Sequence, residues 1–320
     1  MKPIQPTSFP DVTVRHPRVD DAQRTLALMV RCDVSEYGEP DSDLEDLLHE
    51  WDQIDLNRDA WLAFTPQRDL VGYGAVVPWV SNLRYDFYVD PSWEDEDLGE
   101  ALLARCEERG FSLAAERKGG AELVAKTYIA HVNQRDRNIV ERAGFRSVKH
   151  HFNMQVQLDA PLPEPHWPKS IAVRTVAPGQ DDRSIYELIQ STFDRPGRAA
   201  PTFEEWKTFM MRSDIFETDL WFLAVAGGGI VGACLCFEYP TQGWVRQLGV
   251  AEHWRRKGLG TALLLHAFAR FKARGCDKAG LAVAADNADA FAFYQKVGMK
   301  RIRQYDEYEK RIGPTHRQIN

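Results

Sequence analysis

Arg255, Arg256 and Lys257 stand directly ahead of Gly258, Leu259, Gly260 and Thr261, between a β-prone run through Val245, Leu248 and Val250 and a stretch of helical periodicity. In that stretch Leu259, Leu263 and Ala267 recur on one face, and Gly260, Leu264, Phe268 and Phe271 on the adjoining one. A loop that opens a helix presents backbone N–H groups without intrahelical acceptors at the positive end of the helix dipole. Glycines let that backbone approach a ligand without a Cβ in the way, the three cations add charge, and Thr261 adds a hydroxyl. The chemistry these residues suit is the seating of a phosphate or pyrophosphate.

The loop is neither a Walker motif nor the dinucleotide-binding GxGxxG. RRKGLG fits [Q/R]xxGx[G/A], and Asp286 to Met299, DNADAFAFYQKVGM, has the form NxxAxxxYxKxG[F/M]. With both blocks in order at close range, the chain resembles the GNAT superfamily of N-acetyltransferases. The likeness is specific over Leu248 to Met299. It implies an acyltransferase with acetyl-CoA as co-substrate, held by Arg255, Arg256, Lys257, Gly258, Leu259, Gly260 and Thr261. It also implies that backbone of Leu248, Gly249 and Val250 meets the thioester carbonyl and pantetheine, on a strand that splays from its neighbour at Gly280 to Ala284. Asn287 matches the position that caps the following helix and contacts CoA, a plain N-cap being the competing reading. Tyr294 matches the tyrosine that protonates the leaving thiolate. With a phenol pKa of about 10 against about 8.5 for a thiol, hydrogen-bond donation is the better description than full proton transfer.

The acceptor side is less explicit. Glu238, at the end of the preceding strand, is the carboxylate expected nearest the cleft as general base, with Glu307 and Glu309 as alternatives. Trp206, Trp221, Trp244 and Tyr239 are candidates for an apolar acceptor pocket and equally for core. Within the family, length and tandem layout resemble mycothiol synthase, whose glutamate at the start of the corresponding strand is matched here by Trp244.

The elements that must position these residues occur twice. YVDPSWEDEDLGEALLARCEERG, set against LGVAEHWRRKGLGTALLLHAFAR, keeps a Val (Val89, Val250), a Trp (Trp93, Trp254), a Leu-Gly pair (Leu98-Gly99, Leu259-Gly260) and an Ala-Leu-Leu helix start. Val14-Arg15 matches Val173-Arg174, Asn133 matches Asn287, and Gly144-Phe145 matches Gly298-Met299. The fold class expected is α/β (α+β): two tandem GNAT-like domains, each a mixed, splayed central sheet flanked by helices. Residues 1–158 form the first, 159–169 a Pro-rich linker and 170–320 the second. In the first copy Glu94, Asp95, Glu96 and Asp97 replace the cationic loop, and Val140 replaces Tyr294. Carboxylates facing a diphosphate repel it, so the first copy is expected to be degenerate and the second catalytic.

Within the copies, local patterns predict helices at Val19–Arg31, Ser42–Ile54, Asp182–Phe193 and Thr202–Met211. The last opens as a capping box with Glu205. Strands are expected at 13–15, 60–64, 70–77, 83–89 and 171–176, with a hairpin around Gly227 to Gly229.

Composition sets the outer bounds. The 320 residues carry a formal charge of −7 and nine Trp, which suits two folded cores and leaves no basic surface for nucleic acid beyond residues 255–257. Five cysteines without CxxC spacing point to buried thiols in a reducing compartment, not to zinc or disulfides. No apolar run spans a bilayer and MKPIQPTSFP lacks an apolar signal core, so a cytoplasmic protein without a membrane partner is expected. The leading expectation is acetyl transfer to the amine of a small molecule. A non-catalytic acyl-CoA sensor and a peptide or protein N-acetyltransferase are the alternatives.

Overall fold

The computed structural model describes residues 12–79, 82–94, 97–116, 123–159, 161–193, 200–212, 215–239 and 242–313. The first half runs β1 (Thr13–Arg15), α1 (Ala22–Tyr37), α2 (Leu44–Asp52), α3 (Leu56–Asp59), β2 (Ala60–Phe64), β3 (Leu70–Trp79), β4 (Asn82–Val89), α4 (Asp97–Glu116), β5 (Leu123–Ala130), α5 (Gln134–Arg142) and β6 (Arg146–Gln157). The second runs β7 (Ala172–Thr175), α6 (Asp182–Phe193), α7 (Phe203–Met210), β8 (Trp221–Ala226), β9 (Gly229–Tyr239), β10 (Gln242–Val250), α8 (Leu259–Arg274), β11 (Lys278–Ala284), α9 (Ala288–Lys296) and β12 (Lys300–Ile312).

Local chemistry sets most of these bounds. Thr202 and Glu205 form the capping box that starts α7, each side chain satisfying the other's backbone N–H. Gly227 and Gly228, at φ 58 and 82, make the turn between β8 and β9. Helix α1 continues to Tyr37, where periodicity predicts an end near Arg31; Gly38 at φ 82 terminates it by donating to the Val34 carbonyl.

The repeat survives as matched interactions. Arg15 grips Asp21 through two bonds of 2.7 Å, and Arg174 grips Asp181 through bonds of 2.6 and 2.8 Å. Such planar two-point pairs fix the entry of the chain into the first helix of each copy. Asn133 caps α5 and Asn287 caps α9, and Gly144 and Gly298 both lie at positive φ, 88 and 91.

Two compact units result: Met1–His151 with Arg303–Asn320, and Phe152–Ile302. This division differs from the contiguous one that the Pro-rich stretch suggests. The cause is at the chain's two long strands. The second half of β12, Tyr305 to Ile312, pairs antiparallel with β5 and places Tyr308 and Ile312 in the first core. The second half of β6 places Met154 in the second core, next to Val156 and Phe152. Each sheet is thus completed by a strand from the other copy of the repeat. Within the first unit the strands lie in the order β1-β2-β3-β4-β5-β12, and within the second in the order β7-β8-β9-β10-β11-β6. Leu162 and Trp167 of the Pro-rich stretch pack with the second core, Trp167 edge-on to His266 at 5.7 Å.

In the second unit the sheet separates two apolar layers. Cys234, Cys236 and Val245 face Leu263, Phe268 and Phe271 of α8, whereas Leu223, Leu235 and Phe237 face Ile185 and Ile189 of α6 and Trp206 and Met210 of α7. All five cysteines are free and buried. Among the described residues no helix is long and apolar enough to cross a membrane, and no His, Cys, Asp and Glu group is placed to hold a metal.

Candidate active site

The parallel strands β10 and β11 pair only at Gln242↔Lys278, Gly243↔Ala279 and Trp244↔Gly280. Beyond Trp244, β10 remains bonded to β9 on its other edge as far as Val250↔Gly232. The edge of β10 that faces β11 is therefore without a strand partner from Val245 to Val250, and its polar groups are available to an extended ligand. A bulge begins the opening: Val245 pairs with Cys236 and Gln247 with Leu235, leaving Arg246 as the extra residue. After the bulge, Leu248 and Val250 pack toward α8. Gln247 points to the opposite face, where Trp206 Nε1 donates to its Oε1 at 3.0 Å.

The open edge leads into the cationic loop. Arg256 lies at φ 58 and Gly258 at φ 83, the left-handed region that a glycine enters at least cost. Gly258 is the N-cap of α8 and no side chain caps the helix; the first intrahelical bond of the turn is Ala262 N–H to the Gly258 carbonyl, 3.0 Å. The N–H groups of Leu259, Gly260 and Thr261 precede that bond and point out of the helix start, where an anion is favoured. Arg255, Arg256 and Lys257 are exposed beside it. Arg255 Nε is already committed to the Val250 carbonyl at 3.0 Å, and Lys257 Nζ sits 5.5 Å above the Trp254 ring. Arg256 and Lys257 thus carry the exposed charge beside the helix start. Space is available too, because a Cβ added at Gly260 would meet nothing closer than 3.6 Å.

Tyr294 lies on α9 and packs with the α8 layer beside Phe293, their rings 5.1 Å apart. Burial pushes its phenol up to about 12, with the buried Cys234 thiol a second cause. Among the described residues none accepts from or donates to the hydroxyl, so it remains free for a ligand atom. Asn287 Oδ1 accepts from Ala290 N–H at 3.2 Å, the N-cap interaction, and its side chain is half-buried.

Glu238 is not brought to this opening. It pairs with Gly243, at the far end of β10 from the loop, and Arg274 Nε donates to its carboxylate. The same guanidinium binds Glu217 at 2.8 Å and Asp219 at 3.1 Å. Glu238 is thus tied into an ion-pair cluster at the C-terminal end of α8, and a base there would have to act from within that cluster. Glu307 and Glu309 belong to the first unit, where Lys126 holds them at 2.7 and 2.6 Å. Despite burial, hydrogen bonds from His151 and Lys126 keep Glu307 down at about 2. Of the four aromatic candidates, Trp221 is core, Trp206 is buried but turns its N–H to Gln247, and Trp244 and Tyr239 are half-buried. Gln247 escaped the sequence reading, although an amide set between Val245 and Leu248 in a β-prone run is a signal.

The first unit repeats the opening without the fittings. Strands β4 and β5 part after Arg84↔Lys126, but β4 pairs with β3 in unbroken register and has no bulge. Glu94 is exposed and Asp97 begins α4; Asp95 and Glu96 lie outside the described residues. Ile139 and Val140 fill the space between α4 and α5, so that a Cβ on Gly99 would lie 2.7 Å from Ile139. Where a ligand contact would be made by Asn133, its amide donates instead to Glu36 at 2.6 Å and Asp136 at 2.9 Å.

Comparison with known proteins agrees with this geometry. Residues 183–299 match the model of the acetyltransferase (GNAT) family. A mycothiol acetyltransferase of Pseudarthrobacter chlorophenolicus is 26% identical over 73% of this chain and 72% of its own length. A tandem GNAT protein from the clavulanic acid biosynthesis pathway has the same fold, with TM-score 0.72 at 16% identity over 95% of this chain and 99% of that one. The crystal structure of a GCN5-related N-acetyltransferase from Sphaerobacter thermophilus superposes with TM-score 0.83 at 31% identity, over 95% of this chain and 96% of that one. The chain is an acyltransferase: with matching motifs, a splayed sheet in each unit and these relatives, it belongs to the GCN5-related N-acetyltransferase family in its tandem form, resembling mycothiol synthase.

Proposed function

We propose that the second unit moves an acetyl group from acetyl-CoA to the amine of a small molecule, and that the first copy of the repeat, residues 1–158, has no catalytic role. One observation carries the reading: in the second unit a bulged, half-unpaired strand runs into a helix start without a side-chain cap, with exposed cations beside it. The diphosphate of CoA suits the N–H groups of Gly258, Leu259, Gly260 and Thr261 with Arg256 and Lys257 beside them, and Arg255 shapes the turn. The pantetheine amides suit the open edge of Leu248, Gly249 and Val250, and Asn287 closes the start of α9.

The neutral amine adds to the thioester carbonyl, forming the C–N bond, and collapse breaks the C–S bond. The amine gives up a proton and the thiolate gains one. N–H groups of the open edge oppose the developing oxyanion, and the phenol of Tyr294 donates to the departing sulfur. No carboxylate is assigned as base; water or bulk buffer removes the amine proton. The acceptor class follows the mycothiol acetyltransferase relatives, which names a small molecule, while the indole of Trp244 argues for a different acceptor. Five buried free thiols suit the cytoplasm.

The test is to follow free thiol while the protein is incubated with acetyl-CoA and a panel of amines. Thiol release with an amine, abolished in Arg256→Glu, is expected. Tight CoA binding with no release for any amine favours a sensor instead.

A further inference from the structure

Resting on the catalytic reading of the second unit, we propose that Gln247 selects the acceptor by donating from its amide to an acceptor oxygen lying one or two atoms from the reacting nitrogen.

The placement follows from the sheet. The leaving sulfur must lie toward Tyr294, which packs in the α8 layer. The nucleophile then enters from the other face of the strand, the face that α6 and α7 cover. There β10 presents Trp244, Gln247 and Gly249 in alternation, with the bulge at Arg246 supplying the extra step. Gly249 has no room for a side chain, since a Cβ would stand 2.9 Å from Ile189 and 3.1 Å from Thr192 Oγ1. Trp244 lies across Gly280 and is spent on packing. Of the polar side chains near that face, Arg246 lies over the Phe209 ring of α7 and Thr192 Oγ1 donates to the Leu188 carbonyl, whereas Gln247 follows the bulge on β10 itself.

Its orientation is fixed by chemistry. The indole N–H of Trp206 is a donor only, so the atom that it meets at 3.0 Å is the carbonyl oxygen of the amide and not its nitrogen. Trp206 is 3% exposed, so the anchor does not swing. The NH₂ group is turned away from the indole, and among the described residues none accepts from it. A group with two hydrogens to give and no lone pair recognises an oxygen, and placed on the amine's own lone pair it would block attack. The acceptor class assigned is therefore an amine with a neighbouring hydroxyl, carbonyl or carboxylate oxygen, as in an amino alcohol, an amino sugar or an amino-acid derivative. Trp206 is the positioning residue.

Matched amines test this: ethanolamine against propylamine, and 2-aminocyclohexanol against cyclohexylamine, with rates expressed per free amine. The wild-type protein is expected to favour the oxygen-bearing member of each pair. Gln247→Leu is expected to cut that preference about tenfold, mainly through KM, the worth of one hydrogen bond. Trp206→Phe, which keeps the ring and loses the N–H, is expected to move the preference the same way by a smaller factor. Thermal protection by acetyl-CoA stays unchanged in both. An unchanged preference in Gln247→Leu, or a wild-type protein that acetyl-CoA protects but that shows no preference for oxygen, overturns the inference and spares the functional reading. Absence of acetyl-CoA protection in the wild type removes the functional reading and this inference with it.

Discussion

Trp244 packs over Gly280: they are the last register pair before β10 and β11 part, and a Cβ on Gly280 would come within 2.7 Å of the indole and 2.6 Å of the Gln242 amide. The large ring and the missing side chain together end the pairing at a defined point. Beyond that point only the edge of β10 that faced β11 is without a strand partner, β9 keeping the other edge.

Gly280→Ala should therefore force the indole out of its seat and lower stability by about 1–3 kcal/mol, the usual cost of overpacking. Denaturant unfolding measures it. Trp244→Ala in the same chain should recover part of the loss, so that the two changes are less than additive. Equal, additive losses would mean that the two residues do not press on each other.

Reversing charge at the loop should act on the donor alone. Arg256→Glu is expected to weaken acetyl-CoA binding by about tenfold or more, at least ~1.4 kcal/mol, as a cation facing a diphosphate becomes an anion. Isothermal titration checks it. Asp97→Lys in the first unit should leave the affinity within twofold.

Tyr294→Phe should leave acetyl-CoA binding intact while kcat falls about a hundredfold, the range of a lost proton donor. Because burial raises the phenol to about 12, its ionisation should add no falling limb to the wild-type kcat profile between about pH 7 and 10. A variant with unchanged kcat would reduce Tyr294 to packing.

The first unit carries a pH signature of its own. Burial raises Glu36 to about 7 and Asp136 to about 6, the two carboxylates flanking the Asn133 amide. The folded state holds these protons more tightly than the unfolded chain. Their contribution is thus complete below the ordinary carboxylate range and is lost as pH rises through about 7. Glu36→Gln keeps an oxygen for Asn133 and removes the ionisation. It is expected to raise stability at pH 8 by about 1–3 kcal/mol and to change little at pH 4. Thermal unfolding at the two pH values decides it.

Glu238 and Gln247 show where reading a sequence reaches its limit. Both stand in β-prone runs, and chain order says nothing about which of them shares a layer with Arg274 and which with Trp206. The loop at 255–261 was legible because its features are local: a turn, three cations and a helix start are contiguous in the chain. Helix α7 was legible for the same reason, its capping box needing only Thr202 and Glu205.

By itself the sequence determined the repeat, the cationic glycine loop of the second copy with its acid-bearing counterpart, and most element bounds, because hydrophobic period, caps and charge act over a few residues. Only the tertiary structure decided that β6 and β12 each complete the other copy's sheet, that β10 opens after Trp244, and that Arg274 occupies Glu238 while Trp206 turns the amide of Gln247. Those outcomes depend on which residues far apart in the chain meet, and such meetings are set by the closing of the whole core.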